Sequence, residues 1–177
     1  MRTIRLPTLP EGKLVIDIGG GGEGFVSRSG VSSVCAVDVR MDKILEAQIY
    51  TQTSQWLCAD ACSLCFQDES ADVVTFWFSL AFIRERDRKE QALREAYRVL
   101  KPDGTLSLLG MRIDTEQYLD FNGEFILPNG EVSRTGFRVS GGQDQTLESV
   151  RTVLQDVGFV TCSVHDRQTW FSIEAKK

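Results

Sequence analysis

The sequence predicts a doubly wound α/β fold, in which helices cover both faces of a mostly parallel sheet. Three observations support this prediction. Short apolar runs alternate with segments of helical periodicity as far as Leu109. The first apolar run leads directly into a glycine-rich loop, from Gly19 to Gly24. The next two runs each end at an aspartate, and ligands bind outside the carboxyl ends of the strands in such sheets.

Local patterns define the elements of this first part. The predicted strands are residues 14–18, 34–37, 56–59, 73–78 and 105–109, with a short helix at 24–29. Apolar residues at helical spacing predict a second helix over residues 41–49 and a third that includes Leu93 and Leu100. Asp87 and Glu90 form a capping-box-like start to this third helix. Pro102 then stops it.

The C-terminal third has a different pattern. A turn at Pro128-Asn129-Gly130 predicts a β-hairpin of residues 121–127 and 131–139. A helix through Leu147 and Val157 follows, closed by Gly158, and residues 159–164 and 169–174 form a final antiparallel pair. The segment 111–142 is longer than the ~2–6 residues of an ordinary α/β connection. We therefore expect its hairpin to wall a substrate pocket, although it could instead extend the sheet or make a dimer contact.

Length and composition favour one domain over residues 1–177, with an N-terminal arm at 1–12. The net charge of −5 disfavours a nucleic-acid partner. No apolar run approaches the ~20 residues of a membrane helix, and no signal peptide is visible. Five cysteines without a secretion signal predict reduced thiols and a cytoplasmic location. The sequence does not determine the oligomeric state, and a homodimer is one of the possibilities.

The glycine-rich loop allows two interpretations. Gly19, Gly21 and Gly24 fit the G-x-G-x-x-G pattern of dinucleotide sites. Such glycines allow positive φ and let a ligand lie directly against main-chain N–H groups. Asp17, two residues before the first glycine, would repel a pyrophosphate and suits a cationic ligand. S-adenosyl-L-methionine (SAM) is such a ligand, because it carries an ammonium group and a sulfonium but no phosphate.

Residues 17–21, Asp-Ile-Gly-Gly-Gly, resemble the D-x-G-x-G motif of class I SAM-dependent methyltransferases. Residues 95–104 are similar to the helix-to-strand link of the methyltransferase type 11-like subgroup, which is related to ubiquinone and menaquinone biosynthesis methyltransferases. The resemblance covers residues 14–109, and Glu23 departs from it by standing where many members have another glycine. It implies a Rossmann-like fold, SAM as cofactor, and methyl transfer to a small-molecule acceptor.

The resemblance and the strand ends together suggest the cofactor contacts. Asp38 can accept hydrogen bonds from both ribose hydroxyls, and Val39 can lie on the adenine face. Asp60 can accept a hydrogen bond from the adenine amine, and the backbone N–H of Ala61 can donate to a ring nitrogen. Phe78 ends the fourth strand and is a further candidate contact. The predicted cofactor-binding residues are Asp17, Gly19, Gly20, Gly21, Asp38, Val39, Asp60, Ala61 and Phe78.

No catalytic residue is predicted, because displacement at a sulfonium mainly requires proximity and alignment. The single histidine, His165, falls in the last strand pair. Cys58, Cys62 and Cys65 have the C-x-x-x-C-x-x-C spacing of radical SAM iron–sulfur enzymes. Those enzymes need a barrel-like domain longer than this chain, so we predict no metal site. Two other functions stay open: a non-catalytic SAM-binding partner domain and, less favoured, an NAD-dependent oxidoreductase.

Overall fold

The structure is a computed structural model that describes residues 2–51 and 54–177. The strands are β1 Arg2–Arg5, β2 Val15–Ile18, β3 Val34–Asp38, β4 Gln55–Cys58, β5 Ala71–Trp77, β6 Leu100–Met111, β7 Leu119–Ile126, β8 Val132–Val139, β9 Val160–Arg167 and β10 Trp170–Lys176. The helices are α1 Phe25–Arg28, α2 Met41–Gln48, α3 Arg86–Val99 and α4 Leu147–Val157, with a 3-10 helix at Ser79–Phe82.

A seven-stranded sheet in the order β4-β3-β2-β5-β6-β10-β9 forms the centre of the molecule. The first five strands of that order are parallel, whereas β10 runs antiparallel to both β6 and β9. The strand order reverses beside β2, because β3 and β4 lie on one side of it and β5 and β6 on the other. This reversal opens a crevice at the carboxyl ends of the strands, where doubly wound folds bind ligands.

The predicted hairpin is confirmed, and it belongs to a second sheet. β7 and β8 pair antiparallel from Leu119 opposite Val139 to Ile126 opposite Val132. The turn between them needs Gly130, whose φ is +87°. β1 of the N-terminal segment adds to the hairpin as a parallel partner of β7, with Ile4 buried beside Phe125 in the register. This strand was not predicted within the N-terminal arm, because four residues carry too little pattern to indicate one.

Two apolar cores lie on the two faces of the large sheet. One core packs α3 and α4 against β5, β6 and β10, and includes Leu93, Leu106 and Leu154. The other packs the hairpin sheet and α1 against the opposite face, and includes Phe25 and Phe125. Because both faces are covered, β5 is buried at all but one of its positions, as its apolar run predicts. Among the described residues, no helix is long and apolar enough to cross a membrane.

The predicted capping box of the third helix is wrong. α3 begins at Arg86, after an N-cap at Glu85 that makes no side-chain cap hydrogen bond. Glu90 instead accepts hydrogen bonds from Arg94, one turn further along the helix, and such i,i+4 pairs compete for the same side chain. A capping box occurs on α4, where the hydroxyl of Thr146 accepts a hydrogen bond from the N–H of Ser149. The Gly158 C-cap of α4 is confirmed, with φ +117°.

Candidate active site

A cavity of about 520 Å³ lies at the carboxyl ends of β2, β3 and β5. Its volume falls within the range of small-molecule sites, which is about 300–1,000 Å³. The residues predicted to bind the cofactor all line this one cavity: Asp17, Gly19, Gly20, Gly21, Asp38, Val39, Asp60, Ala61 and Phe78. The fold therefore brings together side chains that are up to 61 residues apart in sequence.

The glycines let the loop lie directly over two carboxylates. Gly19 has φ +74°, a conformation that side chains rarely allow. A Cβ on Gly20 would collide with Oδ2 of Asp17, and one on Gly21 would lie 2.6 Å from Oδ2 of Asp38. These two positions consequently require glycine because of close approach.

The loop amides do not form the donor surface that the sequence analysis expects. The N–H groups of Gly19 and Gly20 both donate to the carbonyl of Val37. The N–H of Gly21 donates to Oδ2 of Asp38 at 3.1 Å, and that of Gly22 donates to the carbonyl of Lys43. Four consecutive amides are thus bonded within the protein. A pyrophosphate needs such amides as donors, so this arrangement disfavours a dinucleotide.

Asp17 is a buried carboxylate with one free oxygen. The side chain belongs to β2 and is 2% exposed. Its Oδ1 accepts a hydrogen bond from Oγ1 of Thr75 at 2.6 Å, whereas Oδ2 has no partner among the described residues. Burial raises the pKa of Asp17 to about 7, the hydrogen bond from Thr75 opposes this rise, and the charge of Asp38 adds to it. Such a group favours a ligand that carries positive charge.

Asp38 ends β3 at the rim of the cavity. Its Oδ1 accepts a hydrogen bond from the N–H of Arg40 at 2.9 Å, and its Oδ2 holds the N–H of Gly21. Each carboxylate oxygen has a second lone pair, so the group can still accept two further hydrogen bonds. Val39 follows with a side chain that is 66% exposed at the cavity wall. A flat apolar ring can lie against it.

Asp60 has a partner that the sequence analysis does not predict. Its Oδ1 accepts a hydrogen bond from the N–H of Cys62, and its Oδ2 pairs with the guanidinium of Arg88 at 2.7 Å. These contacts lower the pKa of Asp60, the backbone hydrogen bond contributing most. Arg88 lies on α3 and also lines the cavity. No sequence pattern links it to Asp60, because the pair forms only when α3 packs beside the end of β4.

Phe78 turns the chain out of β5 in a strained conformation. Its φ is +64°, which is rare for a bulky residue and occurs most often at functional sites. The turn brings Ser79 beside Gly19, and the Ser79 hydroxyl donates to the carbonyl of Ile18. The ring of Phe78 is buried, with centroids 5.5 Å from Phe121 and 6.0 Å from Phe137. The side chain therefore mainly joins the sheet to the hairpin.

The hairpin forms part of the cavity wall and adjoins the end of the glycine loop, where the rings of Phe25 and Phe137 lie with centroids 6.3 Å apart. Residues 135–138 of β8 line the cavity, together with Phe82 and Ile83 from the turn after β5. The length of segment 111–142 predicts such a wall, but no sequence pattern identifies Phe137, whose ring packs against Phe82 with centroids 6.4 Å apart. This side of the cavity is largely apolar. Arg138 and Arg88 add charge to its lining, and both are already paired with carboxylates.

His165 and the cysteines lie outside this arrangement. His165 is exposed in β9, at the outer edge of the large sheet, and does not line the cavity. The thiol of Cys62 donates to the carbonyl of Arg88, and that of Cys58 donates to the carbonyl of Val39. Within residues 2–51 and 54–177, no group of three His, Cys, Asp or Glu side chains is arranged to hold a metal ion.

S-adenosylhomocysteine, which is SAM without its methyl group, is a stable ligand for binding measurements. Replacing Cys58, Cys62 and Cys65 together with alanine should leave its affinity within about twofold of wild type. The thiols make only weak hydrogen bonds to backbone, so the change should cost stability alone, on the order of 1 kcal/mol. Calorimetric titration and a thermal melt measure the two effects. Iron or zinc in stoichiometric amounts in the purified wild-type protein would contradict the prediction.

Comparison with known proteins identifies the family. A model of the methyltransferase domain family matches residues 16–108, which is more than half of the chain. The chain belongs to this family. The chain is 34% identical over 108 residues to the ubiquinone/menaquinone biosynthesis C-methyltransferase UbiE of Ruegeria sp. (strain TM1040). That match covers 55% of this chain but only 42% of the relative, so less than half of the relative is represented.

Solved structures support the fold. A SAM-dependent methyltransferase from Methanosarcina mazei superimposes with a TM-score of 0.71 at 21% identity, covering 96% of this chain and 94% of that one. The cyclase SpnF superimposes with a TM-score of 0.68 at 16% identity, covering 96% and 76%. The predicted Rossmann-like fold and class I methyltransferase membership are confirmed, with SAM as the family's cofactor. A cyclase on this fold also shows that the fold alone does not determine the reaction.

Proposed function

We propose that this methyltransferase transfers the methyl group of SAM to a small, apolar acceptor. One observation carries the proposal: a single cavity joins the carboxylates Asp17, Asp38 and Asp60 to a glycine loop whose amides are already used. Carboxylates at these positions suit a phosphate-free, cationic nucleoside. The apolar hairpin wall lines the same cavity and suits the acceptor.

The residues present fit SAM at each of its three parts. The free, buried oxygen of Asp17 suits the ammonium group, because a buried acceptor without a partner is costly until a donor reaches it. The remaining lone pairs of Asp38 suit the ribose hydroxyls. Val39 and Ala61 suit the adenine ring, and Asp60 suits its amine if Arg88 shares the carboxylate.

The protein's part in the reaction is alignment. When bound, SAM supplies a methyl group on a positively charged sulfur, which is an activated leaving group. The loop of Gly19 to Gly22 fixes one reactant, and the wall of Phe82, Ile83 and Phe137 positions the other and excludes water. Holding two reactants in line removes much of the entropic barrier to a bimolecular step. No general base is required when the acceptor atom is already nucleophilic.

An electron-rich aromatic ring is the acceptor that these features favour. The ring can pack against the aromatic pair Phe82 and Phe137. As the ring carbon bonds to the methyl group, the S–CH3 bond breaks with its electron pair left on sulfur, and the ring carbon then loses its proton to solvent. The name of the relative from Ruegeria sp., a quinone-biosynthesis C-methyltransferase, agrees with this choice. Ring carbons of reduced quinone precursors are therefore the first acceptors to test.

We expect SAM and S-adenosylhomocysteine to bind in parallel calorimetric titrations, and NAD not to bind. The reason is that Asp17 would repel a pyrophosphate and the amides of Gly19 to Gly22 have no hydrogen left for it. Tighter binding of NAD than of SAM would favour an oxidoreductase instead. Binding of S-adenosylhomocysteine without turnover, across a library of reduced quinone precursors, would favour a non-catalytic SAM-binding domain.

Replacing Phe137 with alanine should lower kcat/KM for the acceptor by about tenfold. Loss of one aromatic contact of about 1.4 kcal/mol corresponds to that factor. The affinity for S-adenosylhomocysteine should change less than about twofold, because the substitution leaves the hydrogen bonds of Asp17, Asp38 and the glycine loop intact. Val132→Ala is the matched control, since Val132 lies on the same strand, is exposed and does not line the cavity. Equal losses in the two variants would contradict the assignment of Phe137.

A further inference from the structure

Glu23 connects the glycine loop to the hairpin. Its side chain is 18% exposed, and its Oε2 accepts a hydrogen bond from the Ser133 hydroxyl of β8 at 2.7 Å. The same oxygen pairs with Nη1 of Arg28 at 3.3 Å. Glu23 also lines the cavity. One carboxylate therefore contacts a residue of α1, a residue of the hairpin and the ligand cavity.

Arg28 extends this connection to the hairpin turn. Its side chain is only 6% exposed, and its Nη2 pairs with Glu131 just before β8. Its Nη1 also donates to the carbonyl of Glu23 at 2.9 Å, and its own carbonyl accepts a hydrogen bond from the side chain of Asn129 at 2.8 Å. The guanidinium carbon lies 4.6 Å from the centre of the Tyr50 ring. Removing either carboxylate would leave a buried positive charge only partly paired, which lowers the free energy of unfolding substantially.

The connection reaches the acceptor wall through β8. Ser133 and Phe137 lie on one strand, and β8 is paired with β7 at all eight of its positions. The position of Ser133 thus fixes how far Phe137 extends over the cavity. In the other direction, Glu23 directly follows Gly22, whose N–H is bonded to Lys43. The loop and the wall are therefore ends of one bonded unit.

We propose that Glu23 is a positioning residue that couples cofactor binding to the order of the hairpin. This inference rests on the proposed function, because it assigns the glycine loop to SAM and the hairpin to the acceptor. Binding of the cofactor fixes the loop, the loop holds Glu23, and Glu23 holds Ser133 and Arg28 against the hairpin. Coupling between two sites is reciprocal. If cofactor binding shifts the hairpin toward its ordered state by a given factor, loss of the hairpin contact must lower the affinity for the cofactor by the same factor.

Amide hydrogen exchange with and without S-adenosylhomocysteine tests this coupling. In the wild type, the ligand should slow exchange in residues 127–139 by about fivefold or more, the lower end of typical coupling. In Glu23→Gln and in Ser133→Ala, the ligand should still bind but should no longer slow exchange there. Ser133→Ala removes a single hydroxyl, so it retains the fold even if Glu23→Gln does not. A purely structural role would lower exchange protection equally with and without ligand.

Affinities of the single and double variants complete the test. Each single variant should weaken S-adenosylhomocysteine about fivefold, and the double variant should be no weaker than either one, as for one shared contact. Arg134→Gln is the control, since Arg134 pairs with Glu124 on the exposed side of the same hairpin. Additive losses, or unchanged hairpin exchange in liganded wild type, would overturn the coupling alone. Failure of wild type to bind S-adenosylhomocysteine would overturn the proposed function, and the inference with it.

Discussion

Replacing Asp38 with alanine should weaken binding of S-adenosylhomocysteine by about 100-fold. Hydrogen bonds to a charged group contribute about 1.5–3 kcal/mol each. Two ribose contacts, discounted for water that replaces the carboxylate, amount to about 3 kcal/mol, and a factor of ten is about 1.4 kcal/mol. The substitution also leaves the N–H groups of Gly21 and Arg40 without the acceptor that Asp38 provides. Isothermal titration calorimetry measures the affinity.

Two further variants separate the ribose contacts from the loop contacts. Asp38→Asn keeps one acceptor oxygen, so its affinity for S-adenosylhomocysteine should fall by only about tenfold. Asp42→Asn is the matched control, because Asp42 lies in the first turn of α2, just after β3, pairs with Arg40 and does not line the cavity. Its affinity should equal that of wild type. Wild-type affinity in Asp38→Ala would place Asp38 outside the site.

The central sheet could be predicted because its signal is local. β2, β3 and β5 are apolar at nearly every position, and each is followed within a few residues by a glycine, an aspartate or a tight turn. A strand buried on both faces requires such composition, and parallel strands require long crossover connections, which are usually helical. The carboxyl ends of these strands then meet at one edge. Together with the family resemblance, this placement allowed Asp17, Asp38 and Asp60 to be assigned to a common cavity.

The contacts that complete the site could not be predicted because they are formed between distant segments. Arg88 reaches Asp60 only through the packing of α3, and Glu23 reaches Ser133 across 110 residues. The sequence alone does not show which residue a charged side chain pairs with, because many residues of opposite charge are equally possible partners. The capping box assigned to Asp87 failed for the same reason. Glu90 was free to pair along the helix instead, with Arg94.

The loop amides illustrate a different limit. Glycines in a sequence show that the backbone can take an unusual path, but not which atoms the path exposes. Here the path turns the N–H groups of Gly19 and Gly20 toward Val37, inside the protein. The same glycines that fit a dinucleotide pattern thus present a donor-poor surface. The choice between the two cofactors depends on Asp17, whose burial the short apolar run did indicate.

Asp17 should make cofactor affinity depend on pH between about 5.5 and 7. Burial raises the pKa of Asp17 to about 7, and the ligand's ammonium group favours the ionised form. Binding below pH 7 therefore releases a proton, and affinity for S-adenosylhomocysteine should fall toward tenfold per pH unit. Titrations in buffers of different ionisation enthalpy should count about one proton released at pH 5.5 and few at pH 8. Asp17→Asn should bind more weakly and without this dependence.

The free energy of unfolding, measured without ligand, should change with pH in the direction opposite to the ligand affinity. The pKa of Asp17 is raised from 3.8 in the unfolded chain to about 7 in the fold, so the folded state holds the proton more tightly. Its contribution is most favourable below about pH 4, declines as pH rises to about 7, and stays low above that. Thr75→Val removes the hydrogen bond that lowers this pKa, so the loss of affinity should begin at a higher pH. His165→Gln controls for the only histidine, which lies outside the cavity. A pH-independent affinity in the wild type would exclude Asp17 from the site. If stability and affinity instead change with pH in opposite directions, and Asp17→Asn abolishes both dependences, one buried carboxylate is their common cause.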